Sequence, residues 1–229
     1  MNWIWLGVGF LFSLVNTFAL WRKNRKLEGV AKPATMLFLI VGLISSGIQI
    51  SDFPNHLIYF IIGATFCLIG DVFLYLPPEK YFQLGLVAFL LGHIGYIFGF
   101  GWIADTQNQL FPIFIFLTVL IVVSSQITLK IIRSLRNSGR NRLVIPIILY
   151  SMTISTMVFL AGIRFFDFQW SIVDAYLVAF GALSFFISDV LNAWERFVRG
   201  FSHSRIIIMV LYHLGQYGIG IGVILHFAS

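Results

Sequence analysis

Eight apolar stretches follow one another along the chain, and only short polar connectors separate them. Each stretch is about as long as a helix needs to be to cross the hydrocarbon core of a bilayer, roughly 20 residues. A helix also satisfies its own backbone hydrogen bonds where no water is available. The pattern therefore predicts an all-α, polytopic membrane protein with eight transmembrane helices. The predicted spans are Trp3–Trp21, Pro33–Ile50, His56–Tyr75, Tyr81–Ile103, Leu110–Ile132, Leu143–Ile163, Ser171–Trp194 and Ser204–Phe227.

Composition leads to the same class of protein. Of the 229 residues, 59% are hydrophobic and 10% are charged, whereas about a quarter are charged in a typical soluble domain. Connectors such as SDFPNH, DTQNQ and RSLRNSGRNR are too short to be domains, so residues 1–229 are predicted to form a single integral membrane domain. The single cysteine, Cys67, lies in an apolar run, and no disulfide framework is expected.

The basic residues predict how the chain is oriented. Fourteen of the 15 Lys and Arg residues follow the first, third, fifth and seventh spans, and Arg164 stands alone on the opposite side. The positive-inside rule then places both termini on the non-cytoplasmic side. The basic runs are accounted for by topology and by attraction to anionic lipid headgroups. Membrane lipids are therefore predicted partners, and nucleic acid is not.

One acidic residue interrupts the third span. Asp71 follows the segment 55–70, which contains no Asp, Glu, Lys or Arg, and five further apolar or aromatic residues separate it from Pro77. An ionised carboxylate is costly in hydrocarbon, so an acid inside a span is by default a hypothesis for a functional site.

A second acid, Asp189, lies in a similar sequence. GATFCLIGDV (63–72) and GALSFFISDV (181–190) agree at five positions, and His93 and His213 follow the two aspartates by 22 and 24 residues. Four helices separate the copies, which predicts two parallel four-helix repeats, 1–109 and 110–229, about an axis along the membrane normal. The alternative is chance matching in a biased composition.

The two aspartates are predicted to share a polar cavity. They precede Tyr75 and Trp194 by four and five residues, which places them about 6 and 7.5 Å inside the cytoplasmic ends of their spans. Two carboxylates in one desolvated site do not both ionise readily, so we expect one proton donor beside one proton acceptor. The alternative is that each aspartate only caps a helix or bonds a neighbouring hydroxyl or amide.

Other polar residues recur at helical spacing near these acids. Each could orient a carboxylate or bind a substrate oxygen, and each could equally join two helices through a bond worth about 0.6 kcal/mol. No pair of histidines shows metal-motif spacing such as HxxxH, so neither a metal nor another cofactor is predicted. These residues are His93, Tyr96, Ser188, Asn192, Tyr212, His213 and Gln216.

Several motifs together resemble the YhhN/TMEM86 family of eight-span lysoplasmalogenases. They are AKPATM (31–36), the GD of LIGDVFLYL (68–76), FQLGLVAFLLGHIGYIFGF (82–100), GALSFFISDVL (181–191) and the Tyr-x-x-x-Gln of YHLGQ (212–216). The resemblance implies hydrolysis of the vinyl ether bond of a lysoplasmalogen to a fatty aldehyde and glycerophosphoethanolamine or glycerophosphocholine. It also places the family's functional aspartates at Asp71 and Asp189. Asn192 departs from the family, in which alanine is usual.

The implied chemistry suits two carboxylates. A vinyl ether hydrolyses when its β-carbon is protonated, and water then adds to the resulting oxocarbenium ion. One aspartate would supply the proton and the other would stabilise the cation, as the two carboxylates of glycosidases divide their work; the sequence does not assign the two roles. Lys80, Arg196 and Arg199 would hold the phosphate of the lysophospholipid. Short connectors are compatible with a bacterial inner membrane, with the endoplasmic reticulum as an alternative.

Two other functions stay open at this stage. A presenilin-like intramembrane aspartyl protease also uses two aspartates on adjacent spans, but its Gly-x-Gly-Asp signature is incomplete in Leu68-Ile69-Gly70-Asp71. A proton-coupled carrier would also contain parallel repeats and buried acids. The sequence does not predict an oligomeric state.

Overall fold

Eight long α-helices make up most of the chain. A computed structural model describes residues 3–50, 53–102, 104–106 and 109–228, and these contain no β-strand. All eight helices are long and apolar enough to cross a membrane, so the prediction of a multi-pass, all-α membrane protein is confirmed. The helices are α1 Trp3–Trp21, α2 Arg25–Ile48, α3 Asn55–Tyr75, α4 Pro78–Phe100, α5 Leu110–Asn137, α6 Val144–Gly162, α7 Ile172–Phe197 and α8 Ser204–Ala228.

The largest error in the predicted boundaries concerns α2. It begins at Arg25, eight residues before the predicted start at Pro33, and the side chain of Asn24 caps it by accepting from the Leu27 amide. Proline is disfavoured inside a helix because it lacks an N–H. The structure instead holds Pro33 inside α2. Lys32 is therefore a helix residue and not part of a connector.

The ends of two predictions cannot be compared with the structure. The predicted last residue of the fourth span, Ile103, and both limits of the predicted domain, Met1 and Ser229, lie outside the described residues. Within them, α4 ends at Phe100, directly before Gly101, whose φ of 72° lies in the left-handed region. The orientation of the termini stays a prediction.

Glycines bring α3 against α4 and α7 against α8 in the same way. A Cβ added to Gly63 would lie 2.9 Å from the carbonyl oxygen of Gly92, and one added to Gly181 would lie 2.9 Å from that of Gly215. Such distances are too short for any other residue, so the two helix pairs pack backbone to backbone. The predicted repeat stays a prediction, but these equivalent contacts support it.

The outer helices of the two halves are packed differently. In α5, only 6% of the most apolar stretch is buried, whereas the corresponding share is 33–56% in the other seven helices. α1 contacts α2 and α8, and α5 contacts α6 and α7. The face of α5 is consequently the one that the rest of the molecule covers least.

Candidate active site

Asp71 is buried in the core of the helix bundle, where a lysine neutralises it. The Nζ atom of Lys32 in α2 lies 2.8 Å from Oδ1 of Asp71, and only 1% of the aspartate is exposed. The phenol of Tyr212 in α8 donates a hydrogen bond of 2.8 Å to Oδ2. Lys32 also lies over the ring of Tyr212, 5.3 Å from its centre.

Asp189 has a different set of neighbours. The hydroxyl of Tyr150 in α6 donates a hydrogen bond to its Oδ2 atom. The Nε2 atom of His93 in α4 lies 3.6 Å from the same oxygen, too far for a good hydrogen bond. His93 is fully buried, and its ring packs 4.7 Å from that of Phe185. About 15% of the Asp189 side chain is exposed, so this carboxyl can be reached where that of Asp71 cannot.

The two aspartates are bonded from corresponding places in the chain. Lys32 precedes Asp71 by 39 residues, and Tyr150 precedes Asp189 by 39 residues. Tyr150 follows Lys32 by 118 residues, and Asp189 follows Asp71 by the same number. Each aspartate also has a neighbour from the fourth helix of the other half, Tyr212 beside Asp71 and His93 beside Asp189. A parallel repeat accounts for these contacts, with each fourth helix packed against the third helix of its own half and one of its side chains near the aspartate of the other half.

A cavity of about 90 Å³ lies between these two clusters. Lys32 and Tyr212 reach it from one side, and Asp189 and Tyr150 reach it from the other. Apolar side chains of α4, α5, α6 and α8 form much of the remaining wall. Asp71 is not on that wall, so it faces the cavity only through Lys32 and Tyr212.

Several of the predicted substrate-binding residues line the cavity. Ser188, Asn192 and Arg196 stand on its wall along α7, and Tyr212 stands there on α8. The hydroxyl of Ser188 is directed away, since it donates to the carbonyl oxygen of Ile208 at 2.9 Å. The exposed guanidinium of Arg196 lies 3.7 Å over the ring of Phe82. Asn192, Arg196 and Tyr212 are therefore the predicted residues, besides Ser188, that line the cavity.

Other predicted residues are held elsewhere by other contacts. The phenol of Tyr96 donates to Oε1 of Gln216 at 2.5 Å, which joins α4 to α8 in the core. Nε2 of His213 lies 3.0 Å from Nδ2 of Asn16 in α1. Neither contact is on the cavity wall. These three predicted residues join helices and do not face the cavity.

The remaining two predicted phosphate-binding residues also lie off the wall. Lys80 is exposed, with its ammonium 5.3 Å from the centre of the Tyr81 ring, and Arg199 is exposed near the end of α7. Of the three basic residues proposed from the sequence, only Arg196 lines the cavity.

Among the described residues, no three His, Cys, Asp or Glu side chains come together as a metal site. The polar groups of the two aspartate clusters are two carboxyls, an ammonium, two phenols and an imidazole, of which the Asp189 carboxyl, the ammonium and both phenols line the cavity. This set can donate and accept protons and stabilise a cation, as acid–base catalysis requires.

Comparison with known proteins identifies the group to which this arrangement belongs. The YhhN family model matches residues 27–223, which is most of the chain and includes every residue of the two aspartate clusters. The chain belongs to the YhhN family. A curated relative, "Lysoplasmalogenase TMEM86B" of Sus scrofa, is 28% identical over 162 residues, or 70% of this chain. The aligned part is 62% of that relative's length, so the chain spans less than two thirds of it. No solved structure matches the chain.

Two residues of this YhhN-family site were missed by the sequence analysis. Lys32 was counted as a topology signal because Pro33 beside it was read as a helix start. Tyr150 lies in the apolar run VIPIILYSM and carries no motif of its own. The separation of 118 residues between the two aspartates is a signal that could have found both. Lys32 is a polar residue of the AKPATM motif, and the residue 118 positions after it is Tyr150.

Proposed function

We propose that this YhhN-family protein is a lysoplasmalogenase, which hydrolyses the vinyl ether bond of a lysoplasmalogen. The observation that carries the proposal is a reachable carboxyl, Asp189, facing the Asp71–Lys32–Tyr212 cluster across one cavity. The name of the curated relative supports the same reaction. The proposed products are a fatty aldehyde and glycerophosphoethanolamine or glycerophosphocholine.

In this proposal Asp189 is the proton donor. Its carboxyl accepts a hydrogen bond from Tyr150 and lines a cavity whose wall is largely apolar, and an apolar site is where enzymes hold a carboxylic acid as a proton donor. Tyr150 occupies Oδ2, which leaves Oδ1 to carry the proton toward the β-carbon of the vinyl ether. Protonation at that carbon moves the electron pair of the ether oxygen toward the α-carbon and produces an oxocarbenium ion.

The same carboxyl can complete the cycle. After it has given its proton, the Asp189 carboxylate stabilises the oxocarbenium ion and accepts a proton from the water that attacks the α-carbon. The hemiacetal then releases the glycerol oxygen as an alcohol and forms the aldehyde. Asp189 ends the cycle protonated, so the sum of the steps is vinyl ether plus water giving aldehyde plus alcohol. A glycosidase acid is likewise a donor first and an acceptor afterwards.

Asp71 has a supporting role in this mechanism. In this proposal the Asp71 carboxylate is the charged partner of the Lys32 ammonium, which lies 2.8 Å away. The ion pair fixes Lys32 and Tyr212 on the cavity wall. These two groups are placed to bind the glycerol oxygen atoms or the water. Arg196, at the exposed end of the wall, would bind the phosphate, and Asn192 would assist it.

The substrate is a membrane lipid, and the eight spans place the enzyme in the same bilayer. The bilayer we propose is a bacterial inner membrane, with the endoplasmic reticulum as the alternative. In either, the phosphate of a lysolipid lies near the level of the basic connectors, which agrees with Arg196 at the end of α7.

The test is aldehyde release by purified protein from lysoplasmenylethanolamine in deuterium oxide. Protonation at the β-carbon predicts one deuterium at carbon 2 of the aldehyde formed during a short incubation. The matching saturated alkyl ether should not be cleaved, because it has no carbon that accepts the proton. Aldehyde without deuterium, or no aldehyde at all, would contradict the proposal. Release without an ion gradient would also separate the enzyme from a proton-coupled carrier.

A further inference from the structure

A second, larger space opens on the outside of the bundle between α5 and α6. It runs between Leu117–Ile132 of α5 and Ile148–Phe159 of α6, and we call it the α5–α6 groove. Its volume is about 570 Å³. Fifteen helical residues separate Leu117 from Ile132, so the groove extends about 22 Å along the helix.

The groove adjoins the cavity that contains Asp189. Ser124, Thr128 and Ser151 line both spaces. Ser151 directly follows Tyr150, the residue that bonds Asp189. The hydroxyls of Thr128 and Ser151 lie 2.5 Å apart and join α5 to α6 at this point. The inner wall of the groove therefore includes the residue next to Tyr150, which bonds the carboxyl that we assign as proton donor.

The two volumes decide where a lipid chain can lie. Pockets that hold a ligand of ordinary size measure about 300–1,000 Å³. The cavity, at about 90 Å³, is well below that range, whereas the groove, at about 570 Å³, lies within it. The cavity can thus hold the reacting atoms but not a long hydrocarbon chain, and the groove is the adjoining space that can.

The corresponding seam in the first half of the molecule is closed. A Cβ added to Gly9 of α1 would lie 2.9 Å from Cβ of Phe38 in α2, and one added to Gly42 of α2 would lie 2.6 Å from Leu6 in α1. Here the two helices touch along their length, whereas the face of α5 is largely uncovered. The groove is a feature of the half that contains Asp189.

We propose that the α5–α6 groove holds the hydrocarbon chain of a single-chain lipid and is its lateral route between the bilayer and Asp189. The proposal rests on the proposed function for the identity of that lipid. In this proposal the hydrocarbon chain lies along the bilayer normal, parallel to the chains of the surrounding lipids. The end that carries the ether lies at Thr128 and Ser151.

Two adjacent residues of α5 provide a matched test. Ile121 lines the groove and Val122 does not, and their exposed fractions are 56% and 52%. Ile121→Trp should fill the groove, while Val122→Trp places the same ring in lipid. The probes are labelled saturated ether lysophospholipids with hexadecyl and hexyl chains, which bind but are not cleaved.

The expected result is a selective loss of affinity for the long chain. Ile121→Trp should weaken binding of the hexadecyl probe about tenfold, a typical penalty for a misfit in an apolar pocket, and should leave hexyl binding nearly unchanged. Val122→Trp should bind both probes as the parent does. Equal binding of the hexadecyl probe by the two variants would overturn the proposal. So would a change from dimer to monomer in Ile121→Trp alone with probe binding intact, since the groove would then be a self-association face.

A reversible closure gives a second test in one protein. In a Thr128→Cys/Ser151→Cys variant the two sulfur atoms replace hydroxyls 2.5 Å apart, a separation close to that of a disulfide. Oxidation should abolish hexadecyl binding and reduction should restore it; unchanged binding after oxidation would overturn the proposal. Because these probes are not cleaved, intact groove binding together with absent aldehyde release would overturn only the proposed function.

Discussion

Asp71 and Asp189 lie 118 residues apart, and each is bonded by a residue 39 positions before it, yet the bonded groups differ in charge. An ammonium meets Asp71, and a phenol meets Asp189. The first carboxyl is covered by the bundle, and the second is partly open to a cavity. Two positions that look alike in sequence therefore have different chemistry, one suited to a fixed charge and the other to the transfer of a proton.

The comparison also shows how the helix bundle separates the two roles. Each aspartate takes one partner from its own half and one from the other half, so neither half holds a complete site. The single exchange of lysine for tyrosine between corresponding positions is enough to make the two clusters unequal. The predictions below test this inequality, from the largest expected effect to the smallest.

The largest effect should come from removing the proposed proton donor. Asp189→Asn should lower aldehyde release about 1,000-fold, within the range for loss of general acid catalysis, and should leave thermal stability nearly unchanged. Asp105→Asn, which alters an exposed aspartate in the connector after α4, is the matched control. Retention of a substantial fraction of the rate in Asp189→Asn would remove Asp189 from the mechanism.

Asp71→Asn should instead destabilise the protein. It leaves the ammonium of Lys32 in the bundle without its carboxylate, and breaking a buried ion pair costs about 3 kcal/mol or more. The measurement is the free energy of unfolding in detergent. The double variant Asp71→Asn/Lys32→Met removes both charges and should recover most of that loss. If Asp189→Asn proves to be the destabilising change, the roles of the two carboxyls are reversed.

Deleting one hydroxyl beside each aspartate compares the clusters directly. Tyr150→Phe removes the hydrogen bond that Asp189 accepts and should slow aldehyde release about tenfold, equivalent to about 1.4 kcal/mol. Tyr212→Phe removes the bond to Asp71, whose ion pair with Lys32 remains, and should slow it less. A larger effect from Tyr212→Phe would mean that the Asp71 cluster, and not Asp189, donates the proton.

Substitutions of the two histidines should have the smallest effects, one on catalysis and the other on stability. His93→Gln alters the ring beside Asp189 and should lower kcat several-fold. His213→Gln disturbs a contact with Asn16 in α1 and should cost about 0.6 kcal/mol of stability, the average for such bonds in a membrane, without changing kcat. An equal loss of kcat in both variants would show that His213 also contributes to catalysis.

Helix number and type were predictable because long apolar stretches in a membrane protein have few alternatives to helices. The importance of Asp71 and Asp189 was also predictable, since acids stand out in apolar sequence. Their partners were not. The sequence analysis expected Asp189 to make the burial of Asp71 tolerable, but the group that balances the charge of Asp71 is Lys32. The predicted second span begins at Pro33, so it leaves Lys32 in a connector.

The histidines show a second limit. Spacings of 22 and 24 residues suggested that His93 and His213 correspond. The glycine contacts instead make Gly92 equivalent to Gly215 and Gly95 equivalent to Gly218. By the same alignment, the residue equivalent to His93 is Gln216 and not His213. Equivalent residues are thus 123 positions apart in the fourth helices of the two halves but 118 positions apart in the helices before them. Sequence similarity alone does not reveal this difference, because it depends on which backbone atoms are in contact.

Helix length at the end of each aspartate helix adds a further difference between the halves. α3 stops at Tyr75, four residues after Asp71, and the prolines at 77 and 78 follow. α7 meets no proline and continues to Phe197, eight residues after Asp189. That additional turn carries Arg196, the basic group at the open end of the cavity. The two prolines thus follow the early end of α3, whereas α7, which meets none, continues for one more turn and places Arg196 on the cavity wall.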